Sequence, residues 1–152
     1  MKLMVLDGNS VINRAFYGVR ILSTRDGVFT NAVFGFLGIL SRLLDEEKPD
    51  ALCVCFDVHA PTFRHEQYAL YKAQRKPMPE ELVVQMPLLK QTLDYMGIRR
   101  LELAGWEADD LLGTVVADVA GEAAKICSGI VYGFGAATAE DKAAYAALRN
   151  AL

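Results

Sequence analysis

Cysteine and histidine are scarce in this chain. Of its 152 residues three are cysteines and two are histidines, and no Cys-x-x-Cys pair occurs. This scarcity argues against a disulfide framework and against a zinc knuckle as the basis of the fold. Cys53 and Cys55 alternate with a valine in an apolar run, so we expect both to be reduced residues of the core.

Long apolar runs are absent as well. No stretch reaches the roughly 18 apolar residues that indicate a membrane span. The N-terminus begins Met1-Lys2 and enters strand-like sequence without the hydrophobic region of a secretory signal. We therefore expect a cytoplasmic protein with no membrane partner, and the sequence leaves its oligomeric state open. The composition, 53% hydrophobic and 23% charged residues, is typical of a globular domain.

An excess of positive charge is the third absence. The formal net charge of −3 gives no global indication of nucleic-acid binding, but the charge is unevenly distributed. Residues 59–79, here called the basic segment, hold four basic residues against one acid, a net charge of +3 with histidines neutral. The basic residues are Arg64, Lys72, Arg75 and Lys76, and the interleaved aromatic residues are Phe63, Tyr68 and Tyr71. The segment is either a solvated face, as charge runs usually are, or a nucleic-acid surface.

Short apolar runs alternate with helical patterns along the chain. The runs at residues 3–6, 51–56 and 98–103 predict strands. Helices are predicted at residues 10–17 with Ser10 as the cap, at 31–44, at 79–96 and from 107 onwards. The apolar stripe of the second helix is predicted to hold Phe34, Leu37, Leu40 and Leu44. This alternation favours a parallel sheet wrapped by helices.

Acidic residues follow each predicted strand. They are Asp7, Asp57 and the group Glu107, Asp109 and Asp110. Because the carboxyl ends of parallel strands meet at one edge of a sheet, these carboxylates can converge there. Hard divalent cations prefer oxygen ligands of this kind. The alternative for each acid taken singly is a turn, a cap or a favourable position near the start of a helix.

The surrounding motifs carry a family resemblance. They are Asp7-Gly8-Asn9, then Phe56-Asp57 with Phe63-Arg64-His65-Glu66 and Tyr71-Lys72-Ala73-Gln74-Arg75, and then Gly105-Trp106-Glu107-Ala108-Asp109-Asp110. In this order and spacing, residues 1 to about 120 closely resemble the 5′-nuclease domain at the N-terminus of bacterial DNA polymerase I. The resemblance implies a PIN-like (resolvase-like) three-layer α/β fold, with a mainly parallel central sheet flanked by helices. It assigns residues 1–120 to this domain, which would be C-terminally truncated, and residues 121–152 to a divergent C-terminal strand and helix segment of the same domain.

The resemblance also implies an activity and its residues. Members of the family are 5′-3′ exonucleases and flap endonucleases of DNA replication and repair. They use Mg²⁺ or Mn²⁺ to hydrolyse phosphodiester bonds near a 5′ end, so the implied partner is DNA with a 5′ end, a flap or a single-stranded region. The implied metal ligands are Asp7, Asp57, Glu107, Asp109 and Asp110. Lys72 and Arg75 would engage the scissile phosphate as catalytic residues, and the implied nucleic-acid-binding residues are Arg64, Tyr71, Lys72, Arg75 and Lys76.

One family motif is missing. The family continues with a strand that ends in a second acidic pair of the form Thr-x-Asp-x-Asp. Here the corresponding stretch, residues 128–135, holds no acid, and the later acids Glu140 and Asp141 lie in a predicted terminal helix at residues 138–152. We therefore expect an incomplete nuclease with weak or absent cleavage. The alternatives are a catalytically inactive DNA-binding remnant and a single-domain PIN-type ribonuclease.

Overall fold

Three parallel strands in the order β1-β2-β3 form the sheet of the described part of the chain. The computed structural model describes residues 2–68, 71, 74 and 77–122, with the backbone alone for 119–122. The elements are β1 (Leu3–Asp7), α1 (Gly8–Gly18), α2 (Asn31–Glu47), β2 (Ala51–Cys55), α3 (Phe63–Gln67), α4 (Glu80–Val83), α5 (Gln85–Tyr95), β3 (Arg99–Leu101) and α6 (Ala108–Glu122). The strand and the helix predicted at residues 128–135 and 138–152 lie outside the described residues.

The strand register aligns the carboxyl ends of the three strands. Asp7 at the end of β1 is level with Cys55 at the end of β2, and Cys55 is level with Leu101 at the end of β3. The acids that follow the strands are therefore delivered to one edge of the sheet, as expected for parallel strands. The third strand is shorter than the predicted run at residues 98–103 because only three of its residues pair with β2.

The helices form a layer on each face of the sheet. Helices α1, α2 and α5 pack on one face around a core of fully buried side chains that includes Phe36, Leu40, Val54 and Leu89. Both crossovers lie on this face because right-handed connections that add strands in one direction place their helices on the same side. Helix α6 covers the other face, where Leu111 packs with Cys55. The predicted three-layer α/β architecture is confirmed.

The core holds the chain on both sides of the basic segment. Phe56, directly after β2, and Leu82 in α4 are both fully buried members of the same cluster. The chain between them, residues 57–81, is therefore held at each end by hydrophobic packing, in which a buried side chain of this size contributes roughly 1.5–3 kcal/mol.

Three details of the sequence prediction are wrong. Asp7, not Ser10, caps α1, because its carboxylate accepts from the amide of Ser10 at 2.9 Å. Phe34 is 65% exposed, and the buried face of α2 is formed by Val33, Phe36 and Leu40. The helix predicted at residues 79–96 is two helices, α4 and α5.

Cys53 and Cys55 are buried free thiols, as predicted. In the part of the chain that the structure describes, no helix is long and apolar enough to span a membrane.

A buried glutamine supplies the cap that α2 lacks. Thr30 makes no side-chain hydrogen bond at the start of this helix. Gln85, fully buried at the start of α5, accepts instead from the amides of Ala32 at 2.8 Å and Val33 at 3.3 Å. Its Nε2 donates to Asn31 Oδ1 at 3.1 Å and to the carbonyl of Glu81 at 2.8 Å. One side chain thus accepts from two buried amides in the first turn of α2, which have no partner within the helix, and joins α2 to α5.

Replacing this glutamine tests the network. Gln85→Met keeps the volume but leaves two buried amides without acceptors, so we expect the free energy of unfolding to fall by about 2–3 kcal/mol. Urea unfolding followed by circular dichroism measures the change. The matched control is Gln91→Met on the exposed side of the same helix, for which we expect a change below about 0.5 kcal/mol. Equal losses in the two variants would show that the network contributes nothing.

Candidate metal centre

The acids that follow the three predicted strands lie around one cleft at the carboxyl edge of the sheet. The cleft has a volume of about 1020 Å³. Asp7 reaches it from the end of β1, Asp57 from the loop after β2, and Glu107 and Asp109 from the start of α6. Asp110 is not part of its lining, although it lies beside Glu107 and Asp109. The structure therefore brings together residues that are as far apart in the chain as Asp7 and Asp109.

Asp57 forms hydrogen bonds to the start of α6 and to the first turn of α1, the two helices next to the other acids. Its Oδ1 accepts from the amide of Ala108 at 2.7 Å, and its Oδ2 accepts from Asn9 Nδ2 at 2.9 Å. The first bond places a carboxylate at the start of α6, where the helix dipole stabilises negative charge. The second bond joins the end of β2 to the first turn of α1. Asp57 is therefore held in one orientation from two sides, and it lines the cleft.

Asp7 is fixed by the helix that it caps. Its carboxylate accepts from the Ser10 amide at 2.9 Å and from Ser10 Oγ at 2.7 Å. The next residue, Gly8, starts α1 against the ring of Phe56, and a Cβ at this position would lie 2.4 Å from Phe56 Cε1. That distance is far inside van der Waals contact, so only glycine fits. The Asp-Gly pair therefore allows α1 to start close to β2, with Asp7 at the cleft.

Glu107, Asp109 and Asp110 form the densest group of acids. One carboxylate oxygen from each lies within 4.8 Å of the others. Glu107 and Asp110 are mostly buried, with 7% and 14% of their side chains exposed. Partial burial, followed by the charges of Asp110 and Glu107, raises the pKa of Asp109 above its ordinary value. Such a group of oxygen ligands suits a hard divalent cation, which would remove the repulsion.

Arg64 and Tyr71 also contact this group. Arg64 in α3 donates to both carboxylate oxygens of Asp110 at 2.6 Å, and its Nη1 lies 3.4 Å from Glu107 Oε2. The Tyr71 hydroxyl donates to Glu107 Oε2 at 3.0 Å. The structure thus places these two predicted nucleic-acid ligands against the acids. Lys72, Arg75 and Lys76 lie outside the described residues, and their roles stay predictions.

Other basic residues line the cleft that the sequence did not single out. They are Arg14, His59 and Lys90. Lys90 Nζ donates to Glu102 at 2.7 Å and lies 5.3 Å from the centre of the Phe56 ring. Arg14 lies seven residues after Asp7, about two turns along α1. This spacing could have predicted from the sequence that Arg14 lies on the same side of the helix as Asp7. No local pattern links Lys90 to the acids, because α5 reaches the cleft only through the packing of the sheet.

The parallel α/β sheet with acids converging at its carboxyl edge is the arrangement that the resemblance to resolvase-like nuclease domains implies. The chain belongs to the family of 5′-3′ exonuclease N-terminal resolvase-like domains, whose family model matches residues 2–130. The resemblance read from the motifs is thereby confirmed.

Named relatives agree with this family. DNA polymerase I of Bacillus subtilis is 45% identical over 130 residues, which cover 84% of this chain and 15% of that protein. The 5′-3′ exonuclease of Aquifex aeolicus is 46% identical over 110 residues, which cover 72% of this chain and 38% of that protein. The chain thus spans about a seventh of the polymerase relatives.

Solved structures show the same fold. The T5 5′-exonuclease with bound zinc has a TM-score of 0.56 and 20% identity, and the match covers 80% of this chain and 45% of that chain. The bacteriophage T5 flap endonuclease in a complex with DNA and metal ions has a TM-score of 0.53 and 20% identity, with the same coverage. At this identity the likeness shows the fold alone.

Removing one carboxylate tests the repulsion in the cluster. In EDTA we expect Asp109→Asn to raise the melting temperature by a few degrees, because partial burial and, after it, two neighbouring charges disfavour the ionised form of Asp109. Differential scanning calorimetry measures the shift. Asp45→Asn, which removes an exposed charge on α2, is the control and should leave the melting temperature unchanged. A lower melting temperature for Asp109→Asn would mean that the attraction of its charge to Arg64 and to the Asp110 amide outweighs the repulsion.

Proposed function

We propose that this chain is a divalent-cation-dependent 5′-3′ exonuclease or flap endonuclease domain of the DNA polymerase I type, and that its cleavage is weak. The single observation that carries the proposal is the convergence of Asp7, Asp57, Glu107 and Asp109 on one cleft. The proposal includes a cytoplasmic role in DNA replication and repair, and the family match supports this part of it. The chain covers only part of its relatives, so the activity is proposed for the residues present here.

The cation would be Mg²⁺ or Mn²⁺, held by Asp7, Asp57, Glu107, Asp109 and Asp110. When bound, it would activate water and neutralise charge that develops at phosphorus. The donor chemistry supports this, because all five residues offer carboxylate oxygens. The T5 5′-exonuclease structure with bound zinc also supports it. Asn9 and the Ala108 amide prepare the site by fixing the Asp57 carboxylate before the cation arrives.

The substrate would be DNA with a 5′ end, a flap or a single-stranded region. The bacteriophage T5 flap endonuclease in its complex with DNA and metal ions supports this choice. Lys72, Arg75 and Lys76 would contact phosphates from the basic segment, with Lys72 and Arg75 nearest the scissile phosphate. Tyr71 is proposed to bind nucleic acid as well, although its hydroxyl donates to Glu107 in this structure. Arg14 and Lys90 would add positive charge along the cleft wall.

Weak cleavage is proposed because the second acidic pair is missing from residues 123–152. A two-cation centre holds both the attacking and the leaving oxygen of the reaction, with its ions roughly 3.5–4 Å apart. The acids of this chain supply one group of ligands for such a centre. A single cation would leave one of the two oxygens without stabilisation, so slow turnover is expected.

A cleavage assay tests the activity. With 5′-labelled flap DNA we expect slow product formation that requires Mg²⁺ or Mn²⁺ and stops in EDTA. Asp57→Asn should lower the rate by on the order of 100-fold, the loss typical of removing preorganised electrostatic stabilisation. Glu46→Gln, an exposed carboxylate on α2, should cleave like the unmodified chain. Efficient cleavage would show that one acidic group suffices and would contradict the expected weakness.

DNA binding is tested separately by fluorescence anisotropy across a range of salt concentrations. The double variant Lys72→Ala/Arg75→Ala should bind flap DNA more weakly. The slope of log affinity against log salt concentration is negative, and the variant should make it shallower by about 1.4–1.8. Each lost phosphate contact removes roughly 0.7–0.9 from its magnitude. The control Arg25→Ala/Arg42→Ala removes two exposed charges elsewhere and should leave the slope unchanged. No detectable binding at low salt would contradict the DNA-binding role.

The missing pair also favours a second candidate, a catalytically inactive DNA-binding domain. It predicts salt-sensitive binding with no cation-dependent product from any substrate. A PIN-type ribonuclease would instead cleave single-stranded RNA faster than flap DNA. Running the cleavage assay on both substrates separates all three functions.

A further inference from the structure

Arg64 is tied into the acidic group by several contacts. Its Nη1 and Nη2 each donate to a different oxygen of Asp110 at 2.6 Å, in the two-pronged geometry that suits guanidinium and carboxylate. The same Nη1 lies 3.4 Å from Glu107 Oε2. Only 24% of the Arg64 side chain is exposed, so water screens these charges poorly. The hydrogen bonds to Asp110 raise the pKa of Arg64 above its ordinary value.

The position of Arg64 is fixed by the neighbouring aromatic residues. The Phe63 amide donates to the carbonyl of Gly105 at 3.2 Å, which joins α3 to the turn before Glu107. The rings of Phe63 and Trp106 lie 5.1 Å apart, and the guanidinium carbon of Arg64 is 4.5 Å from the Phe63 ring centre. Arg64 is therefore held beside the acids by packing as well as by charge.

These contacts use the oxygens of Asp110. Its Oδ1 accepts from Arg64, and its Oδ2 accepts from Arg64 and from the Glu107 amide at 3.0 Å. Glu107, Asp109 and Asp110 carry three negative charges, and Arg64 compensates one of them. Glu107 and Asp110 are mostly buried, and burying them without compensation would be costly, so Arg64 stabilises the acidic group when no cation is bound. By the same charge it repels any cation that approaches the group.

We propose that Arg64 is a built-in counter-ion of the acidic group. It keeps the site assembled in the absence of a divalent cation and lowers the affinity of the site for that cation. Arg64 is thus a positioning residue that acts through Asp110 and Glu107, a role separate from the DNA contact that the motif predicts. The inference rests on the proposed function, since it takes the acidic group as the cation site.

Two measurements on the full chain test the counter-ion: the melting temperature in EDTA, and Mn²⁺ affinity from the paramagnetic resonance signal of free Mn²⁺. For Arg64→Gln we expect a lower melting temperature together with about tenfold or greater tightening of Mn²⁺ binding, because a repelling charge is removed. Arg64→Lys keeps the charge without the two-pronged geometry and should lie between. Arg42→Gln, the same charge loss at an exposed site on α2, should change neither quantity.

The opposite signs of the two changes separate this role from a purely structural one. If Arg64 only supported the fold, Arg64→Gln would weaken stability and Mn²⁺ binding together, and the inference would be overturned. If the unmodified chain bound no Mn²⁺, the proposed cation site itself would fail. Should Arg64→Gln not fold, Arg64→Lys decides: tighter Mn²⁺ binding with lower stability supports the counter-ion, and weaker or unchanged binding overturns it.

Discussion

Several carboxylates lie together at one edge of the sheet and repel one another. The surrounding structure has to offset this repulsion. Each acid is compensated by a donor from an element that meets this edge. Asp7 accepts a hydrogen bond from the Ser10 amide. Asp57 accepts from Asn9 and from the Ala108 amide, and Asp109 accepts from the Asp110 amide. Tyr71 serves Glu107 and Arg64 serves Asp110. Since these donors come from α1, α3, α6 and the basic segment, the arrangement of the site and the arrangement of the fold are one problem.

Local sequence patterns predicted the parts of this arrangement that depend on local physics. An apolar run closed by an acid was enough to place Asp7 and Asp57 after β1 and β2, and the alternation of runs predicted the parallel sheet. The cap of α1 was wrongly assigned because Asp7 and Ser10 are both good cap residues and stand three positions apart. In α2 apolar residues occur all around the helix, so the period did not reveal which side Phe34 occupies.

Contacts over long distances in the chain were beyond local patterns. Arg64 and Asp110 are 46 residues apart, and a basic residue near aromatic residues looks the same in sequence whether it meets DNA or an acid. Gln85 reaches the start of α2 across 53 residues, and nothing near it in sequence marks it as a helix cap. Both pairings depend on how the helices dock on the sheet. The strand-end pattern identified the acids and the family resemblance gave them the predicted role of metal ligands, but neither indicated the partners that hold them.

The hydrophobic core holds both ends of the longer stretch, residues 57–81, that contains the basic segment. Phe56 and Leu82 belong to the same buried cluster, so the points where residues 57–81 leave and rejoin the core are set by packing. Because the core holds both of these points, a change of chain length between them does not have to shift β2 or α4.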